Sequence, residues 1–139
     1  MKRSQQIVCL LSFLTGFGIL SLWILVWSGM FPVEDKIPGF RNYFISFLLA
    51  DIWLVMNAIL TGVLMLLKNS KVISSGISLG SAMVFFGLYS FLYDFNTKLL
   101  FDFSYGELFG KLITFYNIIG GLFFIIYFSK IKQHDLKQI

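Results

Sequence analysis

Residue types that usually carry chemistry are scarce in this chain of 139 residues, which has one cysteine, one histidine and two prolines. With Cys9 alone, an intrachain disulfide, a CxxC redox pair and a cysteine-built zinc site are all excluded. His134 falls in the charged tail, so neither a histidine nucleophile system nor a metal centre is expected among the apolar segments. The glycines follow no strand and form no phosphate loop, and no serine has a base that the sequence identifies. No catalytic residue, metal ligand set or cofactor is therefore assigned. Charge is short as well. Only 13% of residues are charged, where a soluble domain carries roughly a quarter. The net charge of +4 sits at the ends of apolar runs and not on one basic face, which argues against nucleic acid as a partner.

What the chain has instead is oil. It is 58% hydrophobic and 19% aromatic, with a mean hydropathy of +0.83. Four apolar runs, about 7–28, 43–67, 72–93 and 105–130, each reach the ~20 residues that a helix needs to cross ~30 Å of hydrocarbon. They predict an all-α integral membrane four-helix bundle, a single transmembrane domain over 1–139, with the lipid bilayer as its main partner. The first run is too long for a signal-peptide core, and no alanine precedes Ala50 to make a cleavage site, so a retained helix is expected.

The connections are short. Pro32 and Pro38-Gly39 break the chain after the first span, and Asn42 is the expected N-cap of the second. Lys68-Asn69-Ser70-Lys71 reads as a tight turn, and Ser104-x-x-Glu107 as a capping box opening the fourth helix. Between them, Phe95, Leu99 and Phe103 recur every four residues. This stretch is read as a short interfacial helix or an apolar loop folded over the bundle.

Loop charge sets the orientation. Lys2, Arg3, Lys68, Lys71, Lys130, Lys132 and Lys137 fall on one side, against Lys36, Arg41, Lys98 and Lys111 on the other. All five loop-side acids, Glu34, Asp35, Asp94, Asp102 and Glu107, join the second group. The expected topology is antiparallel up-down-up-down with both termini cytoplasmic. Trp27, Tyr43, Tyr89, Tyr93 and Tyr105 gather near the outer ends, as an aromatic belt would.

Lipid supplies no hydrophobic drive for helix association, so small residues must allow close approach. Gly76, Gly80 and Gly87 mark such a face on the third span, and Ala58 and Gly62 on the second. Packing within one bundle is the simpler expectation, and a homo-oligomer interface on the third span is the alternative.

Asp51 is the residue that most needs a reason. It lies eight residues into the second span, roughly 12 Å along the axis, where an ionised carboxylate costs on the order of 2.5–3.5 kcal/mol. It shares a helical face with Ala58 and Gly62, so it should point inward, with Arg41 and Lys111 as candidate counter-ions. Asp94 would form an acidic mouth with it. Asn57 lies about 120° around the helix from Asp51, and Tyr116 and Asn117 sit at mid-depth on the fourth span as polar cross-links or site residues. Three functions follow in order. The first is a non-enzymatic protein that binds a small or lipidic ligand or serves as a subunit of a membrane complex. The second is a proton- or cation-coupled small transporter acting as an oligomer. The third is a membrane enzyme using Asp51 on a lipid-like substrate.

Overall fold

The computed structural model describes residues 3–33, 35 and 37–131, and for 105 and 106 the backbone alone. Lys2, Glu34, Lys36, Lys132, His134 and Lys137, used above for orientation or set aside as ligands, lie outside the described residues. So does the side chain of Tyr105.

Among the described residues every regular element is helical. The order is α1 (Arg3–Trp27), α2 (Phe40–Ser46), α3 (Leu48–Leu66), α4 (Val72–Asn96) and α5 (Tyr105–Lys130), with a 3-10 turn at Leu99–Phe101. Four helical stretches are long and apolar enough to cross a membrane, the second being α2 and α3 taken together, Phe40–Leu66.

Several boundaries differ from the sequence expectation, each for a local reason. The α2 N-cap is Gly39, whose φ of 88° suits glycine, so Asn42 sits inside the helix instead of capping it. Phe47 separates α2 from α3, its amide bonding back three residues to the Phe44 carbonyl. One 3-10 step of this kind interrupts the ladder without turning the chain out of helical angles. The α3–α4 turn is as short as expected. Lys68 adopts φ 53°, and the Asn69 side chain accepts a hydrogen bond from the Lys71 amide at 2.9 Å. Helix α4 runs on to Asn96 and takes Phe95 with it, and Lys98 at φ 63° then ends any helix. The four-residue spacing of Phe95, Leu99 and Phe103 therefore makes no separate helix: only Leu99 of the three is buried. Ser104 stands at the α5 N-cap in extended backbone conformation, but its side chain makes no capping hydrogen bond, so the expected capping box is met in position only.

The small residues are used within the chain. Gly76 faces the Phe128 ring, Gly80 faces the Gly121 carbonyl, and Gly87 faces Ile118 and the Thr114 carbonyl, all on α5. Gly62 of α3 receives Phe13, and Gly16 of α1 rests on Ala58 and Ile59. Helix α4 thus packs chiefly on α5, and α1 on α3, with α3–α4 between them; α1 and α5 approach only weakly. Thr61 and Ser75 join α3 to α4 by a hydroxyl–hydroxyl bond of 2.8 Å.

The exterior is apolar, and several polar side chains are buried. Leu49, Phe85 and Trp27 are 79, 73 and 70% exposed, whereas Asp51, Lys111 and Asn117 are 8, 7 and 6% exposed. Apolar surface on that scale, over four long helices, suits hydrocarbon and not water.

Candidate functional site

Helical periodicity brings one row of side chains from each long stretch to a common interior space. On α2 and α3 the row is Tyr43, Phe47, Asp51 and Leu54. On α4 it is Phe86, Ser90 and Asp94, spaced by four. On α5 it is Glu107, Gly110, Thr114 and Asn117, and α1 adds Ile19 and Leu22. Spacings of three and four keep each row on one face of its helix. The space is partly open and has a volume of about 150 Å³. Three carboxyl groups and several aromatic rings line it together.

Asp51 is held from two directions. Its backbone amide bonds to the Phe47 carbonyl at 2.8 Å, which ties it to the interruption between α2 and α3. Its Oδ2 accepts a hydrogen bond from the Trp23 indole Nε1–H of α1 at 2.7 Å. Trp23 is itself buried and rests against the Phe44 ring. The second carboxylate oxygen takes no hydrogen bond among the described residues, and Asp51 lines the cavity.

The expected counter-ions do not line the space at Asp51. Arg41 is exposed and borders a different space with Trp27, Pro32 and Ile45. Lys111 is buried, donates from Nζ to the Asp102 carbonyl, and lies 4.5 Å from the centre of the Phe103 ring. That ring and carbonyl hold the ammonium beside the loop that closes α4 onto α5, away from Asp51. Its charge is felt at Asp94, along with that of Glu107.

The site residues read from the sequence divide into three groups. Asp51, Asp94 and Asn117 line the one cavity. Tyr116 lies just outside it, its hydroxyl sharing a 2.6 Å hydrogen bond with Thr15 of α1 across the weakly packed α1–α5 flank. Asn57 is separate, its amide spent on the Trp53 carbonyl one turn back at 2.9 Å. Asn117 likewise donates to the Ile113 carbonyl at 3.0 Å.

Sequence reasoning missed Trp23, Thr15 and the aromatic wall. Trp23 and Asp51 each stand fourteen residues from Ile37 in the first connection, and equal counts about a loop place residues of neighbouring spans at similar depth. That signal was readable. The tyrosines assigned to a lipid-facing belt partly turn inward: Tyr43 stacks on Tyr93 with ring centres 3.5 Å apart and planes within 8°. The Tyr43 hydroxyl is buried without a hydrogen bond of normal geometry among the described residues, with the Ser90 side chain close by.

Two further spaces adjoin the cavity. One, of about 270 Å³, is bounded by Phe31, Pro32, Phe44 and Phe109. The other, of about 310 Å³, is the cleft along the α1–α5 flank, bounded by Leu14, Thr15, Gly18 and Tyr116. All three spaces share Leu22 and Ile113 on their walls. Comparison with family models, with curated proteins and with solved structures finds no match to this chain.

Proposed function

We propose that this chain is an integral membrane protein that crosses the bilayer four times, up-down-up-down, with both termini on the cytoplasmic side, and binds a small ligand in the cavity at Asp51. Two facts support the spanning arrangement: the apolar exterior and the inward-turned polar residues. Early residues of α4 meet late residues of α5, Gly76 with Phe128 and Gly87 with Ile118, as antiparallel neighbours do. Arg3, Lys68, Lys71 and Lys130 gather at one end under this arrangement, in keeping with positive charge on the inner side.

The observation that carries the binding role is the cavity to which every long stretch contributes, with a carboxylate committed to protein through one oxygen alone. The other oxygen is not fully buried and stays open to a partner that the described residues do not supply. The role is non-enzymatic. A cavity of about 150 Å³ suits a head group better than a whole lipid.

Native mass spectrometry of the protein released from nanodiscs tests this reading. A bound small molecule is expected in the wild type and absent from Gly110→Leu, whose side chain fills the cavity. No adduct in either protein, from several expression hosts, would contradict it. The cation-coupled transport reading uses the same open oxygen of Asp51. It is separated by flux: Asp51→Asn would abolish proton-linked uptake in proteoliposomes if that reading held.

A further inference from the structure

We infer that the ligand of this cavity is an amphiphilic organic cation, its positive head beside Asp51 and its hydrocarbon body lying in the cleft between α1 and α5. The inference rests on the ligand-binding reading above and names the chemical class.

The head-group end is defined by charge and rings together. Asp51 and Asp94 both line the space, and no cationic side chain among the described residues lines it with them. The one buried lysine nearby, Lys111, is occupied by the Asp102 carbonyl and the Phe103 ring. Phe40, Tyr43, Phe44, Phe47 and Phe86 complete the wall. Aromatic faces attract cations lacking strong hydration, such as quaternary or protonated tertiary amines, within about 6 Å of the ring centre. An anion would meet the carboxylates with no cation to receive it. A neutral polar molecule would meet the hydroxyls of Tyr43, Ser90 and Thr114 but would leave the carboxyl groups without a counter-charge.

The body of the ligand is defined by the flank. Helices α1 and α5 pack far less closely than α4 and α5 or α1 and α3. The cleft between them is about 310 Å³ and mostly apolar, and it shares Leu22 and Ile113 with the wall of the cavity. Two glycines mark the path. A Cβ added at Gly18, on the cleft, or at Gly110, on the cavity, would touch nothing within 4 Å. Each is therefore a place where a bulky side chain fills the space without disturbing the backbone. Thr15 and Tyr116 bridge the cleft with their single hydroxyl bond, a latch that a ligand arriving from the bilayer can part.

Trp23 provides the readout, because its indole bonds to Asp51. In a Trp27→Phe/Trp53→Phe background it is the sole tryptophan of the chain. Such protein, in phosphatidylcholine nanodiscs, is titrated with octyltrimethylammonium, octyl sulfate or octanol, following Trp23 emission. The expected result is a saturable change with the ammonium alone. Asp51→Asn, which keeps a carbonyl acceptor for the indole, weakens it about tenfold or more. Gly18→Phe and Gly110→Leu weaken it as well, with Trp23 emission before titration unchanged. Should Asp51→Asn fail to fold, these two variants and the choice of amphiphile decide. Saturable binding of octanol or octyl sulfate as strong as that of the ammonium, blocked by Gly110→Leu, would overturn the cation inference and leave the ligand site standing. A response to all three that never saturates, and that no variant changes, would overturn both.

Discussion

Helix α5 packs against α4 along one edge and lies beside α1 along another, and the two edges are built in opposite ways. Against α4, glycines remove side chains so that backbones meet: a Cβ at Gly80 would stand 2.6 Å from the Gly121 carbonyl oxygen. Against α1 there is a cleft, crossed by the Thr15–Tyr116 hydroxyl bond, and the glycine on it, Gly18, faces open space. In lipid, where oily surface gains nothing by leaving the solvent, a seam holds only through close contact and polar bonds. The α4–α5 seam has that contact in full. The α1–α5 flank has so little that it is the natural place for the fold to open, and the Asp51 cavity lies behind it.

The sharpest way to break this comparison is to place the same large side chain on each edge. Gly80→Leu drives a side chain into backbone that has no room to yield, and a loss of about 3 kcal/mol or more is expected. Gly18→Leu adds a good helix former over empty space and should change stability by less than about 1 kcal/mol. Reversible unfolding in mixed micelles measures both. Equal losses would mean that the flank is as tightly closed as the seam.

A smaller effect sharpens the account of what lies behind the flank. The Trp23–Asp51 bond, made to a carboxylate in a buried setting, should show a coupling of about 1–2 kcal/mol in a double-mutant cycle of Trp23→Phe with Asp51→Ala. Asp51→Asn should cost less than Asp51→Ala, since the amide oxygen still accepts the indole hydrogen. No measurable coupling would mean that Asp51 finds a different partner in the bilayer.

The smallest effects concern single hydroxyl bonds. Thr61→Val, which deletes the bond to Ser75 on the packed side, and Thr15→Val on the flank should each cost about 0.6 kcal/mol. They should differ in access. With Cys9→Ser and a cysteine at Gly18, a membrane-soluble maleimide should react faster when Thr15 is valine and at an unchanged rate when Thr61 is. Equal rates would remove the latch.

Long runs of apolar residues made the four helical stretches and the tight turn at Lys68–Lys71 legible, because composition over some twenty residues leaves little choice of structure. The start of α5 at Ser104 was legible for a similar reason, a polar residue standing just before an apolar run, though its side chain makes no capping bond. The interruption at Phe47 was not, since neither proline nor glycine marks it and the break is one backbone bond. The inward direction of Asp51 could be read from the face it shares with Ala58 and Gly62. Its partner could not be found by matching opposite charges, because the structure satisfies it with a neutral indole. Lys111 misled for the same reason, its ammonium being held by a carbonyl and a ring rather than by Asp51.

A high-resolution structure of the protein in lipid nanodiscs tests the central claim most directly. The expected map has the Trp23 indole within hydrogen-bonding distance of Asp51, and non-protein density beside the other carboxylate oxygen that continues toward Leu22 and Ile113. A collapsed interior, with Asp51 paired to Lys111 or turned out toward lipid, would contradict it.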